Sequence, residues 1–218
     1  MSPEPRKPSV AEVHAVLAAH DGLIVHFSGA PKGSGIERGH LYPDDLRHVI
    51  AGKAMGGLSC SVVKPGDNFV GFERNATGCI GLILDLTVPS SLVAVSATDC
   101  GSIEAPDGTR HVQHETDISV ADVEASITGR RKGNYNEWVV RDFRVLGVLA
   151  VPPFEISVRG AISLPDDLPP SPLFDPTNEI GLGTTTPDAV AAAFAPLPTF
   201  SLDGSHILRL IAHGDLYS

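Results

Sequence analysis

Two polar residues stand out by where they fall in the chain. His26 is set inside the short apolar run Leu23-Ile24-Val25-His26-Phe27-Ser28, and alternation along a strand puts His26 and Ser28 on one face. Glu137 opens the most strand-like stretch of the protein and follows the basic run Arg130-Arg131-Lys132-Gly-Asn-Tyr135-Asn136. A carboxylate at a strand mouth, beside an exposed cationic loop, is suited to stabilising positive charge that develops on a ligand. The plainer readings are a core histidine satisfied internally and a strand-end glutamate facing water. Two other groups could do chemistry. Cys60 could act as a thiol nucleophile, and His111, His114 and Glu115 could face a metal ion. Cys60, however, lies within a predicted strand rather than at a helix N-terminus that would lower its pKa, which favours a small packing residue. The two histidines follow a turn at the spacing of neither standard helical zinc motif. There is no G-x-x-x-x-G-K-[ST] and no G-x-S-x-G, and Gly33-Ser-Gly35 lacks the third glycine of a dinucleotide-binding turn.

The elements that must position these residues are short. Ser9-x-x-Glu12 is a capping box before Val10, Val13, Val16 and Leu17, which predicts a helix to about His20 and a stop at Asp21-Gly22. Leu23–Ser28 reads as a buried strand, Gly29–Gly39 as a loop, and a short helix follows with Pro43 in its first turn. Leu58–Val63 reads as a second strand after Gly56-Gly57. Cys79–Leu86 and Leu92–Ala97 are strand-like runs divided by Val88-Pro-Ser. Ser119 caps a predicted helix to Ile127. Tyr135–Val151 is long enough for two strands or one bent strand, and Phe154–Val158 continues the sheet. Between Gly160 and Leu208 there is no Lys or Arg, and eight prolines fall from Pro165 to Pro198. That segment reads as an extended cover with one alanine-rich helix, Pro187–Phe194, and a last strand at Ser205–Ala212. The expected fold is α+β: a compact, strand-rich core of two packed sheets with a few short helices, plus a Pro-rich C-terminal covering segment. In domain terms, residues 1–160 form the core, with residues 1–8 a flexible lead-in. Residues 161–218 form a Pro-rich acidic tail packed on the same domain.

Val25-His26-Phe27-Ser28, Leu58-Ser59-Cys60-Ser61 and Tyr135-Asn136-Glu137-Trp-Val-Val140, in this order, resemble the three motifs of the ADP-ribosyltransferase superfamily. The superfamily includes bacterial toxins, poly-ADP-ribose polymerases and DNA-modifying toxins. The likeness spans roughly residues 23–151. It implies NAD as substrate and no metal. Glu137 would be the catalytic carboxylate and His26 the residue that holds the ribose. Ser28, Tyr42, Ser59, Ser61 and Tyr135 would support the NAD pocket, and Arg130, Arg131 and Lys132 would meet the acceptor. The motifs are mixed: His26 belongs to the His-Tyr-Glu branch, Ser59-Cys-Ser61 to the Arg-Ser-Glu branch, and Tyr42 is the nearest candidate for the missing tyrosine. The implied activity is cleavage of the nicotinamide–ribose bond, with transfer of ADP-ribose to a macromolecular acceptor (protein or nucleic acid) or to water. A toxin or effector role, with an antitoxin or immunity partner, would go with it.

Composition sets outer limits. The chain has 218 residues, 16 Lys+Arg against 26 Asp+Glu, and a net charge of −10. That balance argues against broad charge-driven binding to DNA or anionic membranes, so three adjacent cations at Arg130–Lys132 stand out. Glycine (22) and proline (18) favour turns over long helices, and three cysteines exclude a disulfide framework and fit a reducing compartment. The N-terminus lacks an apolar signal region and no span of about 18 apolar residues occurs. The expectation is a cytoplasmic protein, or one exported without a Sec signal into a target cell. Two other classes of function stay open. One is a non-enzymatic acidic binding or inhibitory module for a basic partner; the other is a Cys- or metal-dependent hydrolase.

Overall fold

The computed structural model describes residues 6–28, 57–67, 80–98, 118–129, 136–150, 155–159, 180–184 and 187–201. Helix α1 (Val10–Ala19) begins where its capping box places it: Ser9 Oγ accepts from Glu12 N, and the Glu12 carboxylate accepts from Ser9 N at 2.9 Å. Arg6 adds a bond to the same carboxylate. With the Ser9 hydrogen bonds, it holds Glu12 down at about 2. Helix α2 (Val120–Thr128) repeats the device with Ser119 and Asp122. Two helices from two capping boxes supply one side of the core, through Val13, Val16 and Leu17 of α1 and Val123 and Ile127 of α2.

The strands are β1 (Leu23–Ser28), β2 (Leu58–Val63), β3 (Ile80–Leu86), β4 (Leu92–Ser96), β5 (Glu137–Val140), β6 (Phe143–Ala150), β7 (Glu155–Arg159), β8 (Ile180–Thr184) and β9 (Thr199–Ser201). Seven of them form a mixed sheet in the order β4-β5-β2-β1-β3-β6-β9, antiparallel except for the β6–β9 pair. With the helices this is an α+β fold. The run predicted as two strands or one bent strand is two strands, broken at Arg141-Asp142, where Asp142 takes a φ of 51°.

That break decides the shape of the sheet. β5 and β6 lie four strand spacings apart in the sheet order, about 19 Å if it were flat. Only two residues join them, and three Cα steps from Val140 to Phe143 reach about 11 Å. The sheet therefore bends. The chain from β3 to β4 makes the same crossing beside it, through a 3-10 turn at Pro89–Ser91. Leu86 pairs with Phe143 before the corner, and Leu92 pairs with Val140 after it. Between those pairs Arg141 N donates to Ser91 O at 2.8 Å, and Ser91 Oγ and Thr87 Oγ1 both donate to Asp142 O.

Phe154–Val158, expected to continue the main sheet, does not. β7 pairs with β8 in a separate two-stranded sheet, because both edges of β6 are already taken by β3 and β9. Helix α3 (Pro187–Phe194) matches its predicted span. It carries Phe194 into the main hydrophobic cluster, and Pro198 O accepts from Val148 N at 2.9 Å as β9 joins the edge. The predicted helix at Pro43 and the predicted strand Ser205–Ala212 lie outside the described residues. Among the described residues, no helix is long and apolar enough to cross a membrane.

Candidate functional site

β2 changes neighbours halfway along. Its first half pairs with β5, as Leu58↔Val140, Ser59↔Val139 and Cys60↔Trp138. Its second half pairs with β1, as Ser61↔Val25, Val62↔Ile24 and Val63↔Leu23. Each half therefore loses a backbone partner on one side, and the donors and acceptors left there must be satisfied some other way.

On the β1 side the strands part beyond Val25, and the His26 side chain crosses the widening gap. Its Nδ1 lies 2.8 Å from the Ser59 carbonyl oxygen. A carbonyl can only accept, so Nδ1 carries the proton, and in the neutral ring Nε2 is the acceptor nitrogen. On the same residue the exposed Ser59 hydroxyl donates to Glu137 Oε1 at 2.6 Å. Three sequence-predicted residues from three separate strands thus meet: a half-buried imidazole, an exposed hydroxyl and a half-buried carboxylate. A hydroxyl–carboxylate bond of this length is charge-assisted and holds the carboxylate's rotation. The arrangement can stabilise a cationic centre and accept hydrogen bonds from a hydroxyl-rich ligand.

On the β5 side the gap is closed by a buried amide. Asn136 is fully buried. Its Oδ1 accepts from Val62 N at 2.9 Å, its Nδ2 donates to Ser126 O at 3.0 Å, and its own carbonyl accepts from Ser61 Oγ at 2.6 Å. Two residues on, Trp138 Nε1 donates to Ser126 Oγ at 2.9 Å. Glu137 therefore sits between two buried residues that are both tied to α2. Sequence reading gave Asn136 and Ser126 no role. The signal that could have found Asn136 is a poor strand former at the head of an apolar strand, which must have its amide satisfied if buried.

The remaining predicted residues separate. Ser61 is buried and its hydroxyl serves the Asn136 carbonyl rather than the gap. Ser28 belongs to β1, where it pairs with Ile80 of β3. Tyr42, Arg130, Arg131, Lys132 and Tyr135 lie outside the described residues, as do His111, His114 and Glu115. Cys60 faces the core at 3% exposure, and burial, then the nearby Glu137 charge, push its thiol well above the usual range. A thiol held protonated in this way is a poor nucleophile. Among the described residues there is no cluster of three or more His, Cys, Asp or Glu able to hold a metal ion. No family model, no curated protein and no solved structure matches the chain.

Proposed function

We propose that the protein is an NAD-consuming ADP-ribosyltransferase, or NAD glycohydrolase, with Glu137 as its catalytic carboxylate. The observation that carries the reading is the Ser59 Oγ–Glu137 Oε1 bond of 2.6 Å on the same residue whose carbonyl receives His26. In the reaction, the bond between nicotinamide nitrogen and ribose C1′ breaks and its electron pair leaves with nicotinamide. The ribose becomes oxocarbenium-like, and the Glu137 carboxylate stabilises that charge more than it stabilises the ground state. The acceptor's oxygen or nitrogen then bonds to C1′ and gives up its proton. His26 holds a ribose hydroxyl while Ser59 keeps the carboxylate aimed.

The acceptor is a macromolecule met by Arg130, Arg131 and Lys132, or water in the glycohydrolase case. An antitoxin or immunity protein that blocks this gap fits the same reading. The fold proposal goes with it: the bent sheet is taken as two packed layers, with NAD entering where β1 and β2 part. The Pro-rich segment after residue 160 is taken as a cover.

The test is nicotinamide release from NAD by the purified protein beside Glu137→Gln. The expected result is release by the wild type and a fall of at least about 100-fold in the variant, with its circular dichroism and melting unchanged. A fully active Glu137→Gln protein overturns the assignment of Glu137. A wild type that neither releases nicotinamide nor binds NAD calorimetrically overturns the whole reading and leaves the acidic binding module in front.

A further inference from the structure

Glu137 is the residue between Asn136 and Trp138, and both neighbours are buried on the face opposite its own. Strand alternation alone sets which way Glu137 faces, but not how far along β5 or how near β2 it stands. Ladder bonds would normally fix that distance. Here β2 and β5 share ladder pairs only through Cys60↔Trp138, and Glu137 lies just beyond the last of them. On the other edge Glu137 keeps its ladder pair with Ser96 of β4, but from that point on side chains do the work of the ladder on the β2 side. The Asn136 amide takes the Val62 N–H that a strand neighbour would otherwise receive, and the Ser61 hydroxyl takes the Asn136 carbonyl. The second arm of the same amide reaches Ser126 O on α2. One neutral side chain thus fixes the backbone immediately before Glu137 against both a strand and a helix.

We propose that Asn136 is the positioning residue of this site: its amide, with the Ser61 hydroxyl, sets the distance at which Glu137 meets Ser59. The proposal rests on the reading of Glu137 as the acting carboxylate only for its kinetic consequence. Its structural content is independent of any substrate. Asn136 acts through Glu137 and touches no ligand itself. Its burial keeps water from competing for the amide's hydrogen bonds.

The experiment compares Asn136→Ala and Ser61→Ala, both neutral changes, with Leu17→Ala, which removes a fully buried apolar side chain on α1. Three quantities are read: melting temperature, kcat and KM for nicotinamide release, and the titration midpoint of the Glu137 carboxyl carbon by 13C NMR. Ser59→Ala serves as the reference for a Glu137 that has lost its hydroxyl donor. Asn136→Ala is expected to displace the Glu137 midpoint in the same direction as Ser59→Ala. It should also lower kcat about 10–100-fold while KM stays within about twofold. Ser61→Ala should do the same to a smaller extent, and Leu17→Ala should lower the melting temperature while leaving the midpoint and kcat in place.

If Asn136→Ala does not fold, Ser61→Ala carries the decision with the same readouts. A midpoint that stays at the wild-type value in both variants overturns the proposal, as does a loss of kcat that Leu17→Ala reproduces. If the wild type releases no nicotinamide, the NAD reading fails by itself, and the NMR midpoint still decides whether Asn136 positions Glu137.

Discussion

The two flanks of β2 solve one problem in opposite ways. Where β1 leaves, the Ser59 carbonyl is met by the half-buried imidazole of His26. Where β5 begins, the Val62 N–H is met by the fully buried amide of Asn136. Both side chains stand in for a missing strand partner. A neutral amide can be sealed from water at little electrostatic cost, whereas an ionisable ring beside a carboxylate is cheaper to leave partly solvated. The chemistry of the bridging group therefore marks which flank is scaffold and which is open to a ligand. The titratable groups His26 and Glu137 and the exposed hydroxyl of Ser59 all fall at the open one.

The sharpest way to break that comparison is to remove each bridge and measure stability by urea denaturation. Asn136→Ala leaves a buried N–H on Val62 and a buried carbonyl on Ser126 without their present partner. At about 1–3 kcal/mol for each of the two orphaned groups, the expected loss is about 2–6 kcal/mol. His26→Ala leaves the Ser59 carbonyl without its present partner, but water can reach it through the gap, and the expected loss is below about 1 kcal/mol. On the functional reading the order reverses in part, because His26→Ala should raise KM for NAD while barely moving the melting temperature. Equal stability losses at the two positions would mean that the β1 flank is as closed as the β5 flank, and the open-site assignment would fall.

Much of this was legible in the sequence, for identifiable reasons. Helices α1 and α2 start at the serines that cap them, and β1 and β2 match their apolar runs, because local hydrogen bonding and periodicity act over a few residues. His26 and Glu137 could be singled out because each is polar against an apolar background, and Ser59 entered through the motif resemblance. What the chain did not disclose is pairing. That β2 changes neighbours at Cys60 depends on residues 75 or more positions away, such as Asn136, and no local pattern encodes it. The same holds for Phe154–Val158, whose strand character was readable. Its partner was not, because β9 had taken the edge of β6. Ser61 was named for the pocket through the motif resemblance, and its contact in the fold is with the Asn136 carbonyl. Only the three-dimensional position of Asn136 turns its hydroxyl to the backbone.

An effect that is absent at neutral pH is expected at Cys60, the last β2 residue paired with β5 before the strand turns to β1. Burial, then the Glu137 charge, raise its thiol well above the ordinary value, so the folded protein holds this proton more tightly than the unfolded chain does. The sign follows: the contribution is complete below the ordinary thiol range and is lost as pH climbs above about 8.5, where the unfolded thiol ionises and the folded one does not. Urea denaturation of wild type and Cys60→Ala from pH 7 to pH 10 should show the wild type losing ground relative to the variant. The slope of that loss is at most about 1.4 kcal/mol per pH unit. Cys79 and Cys100 are common to both proteins and cancel in the difference. Glu137→Gln removes the second cause of the raised thiol, so the folded thiol should ionise at a lower pH and the loss should level off sooner. Parallel curves for wild type and Cys60→Ala would mean that the thiol ionises in the folded state as freely as in the unfolded one. The changeover of β2 would then be open to water on its core face, and the contrast between a sealed and an open flank would not hold.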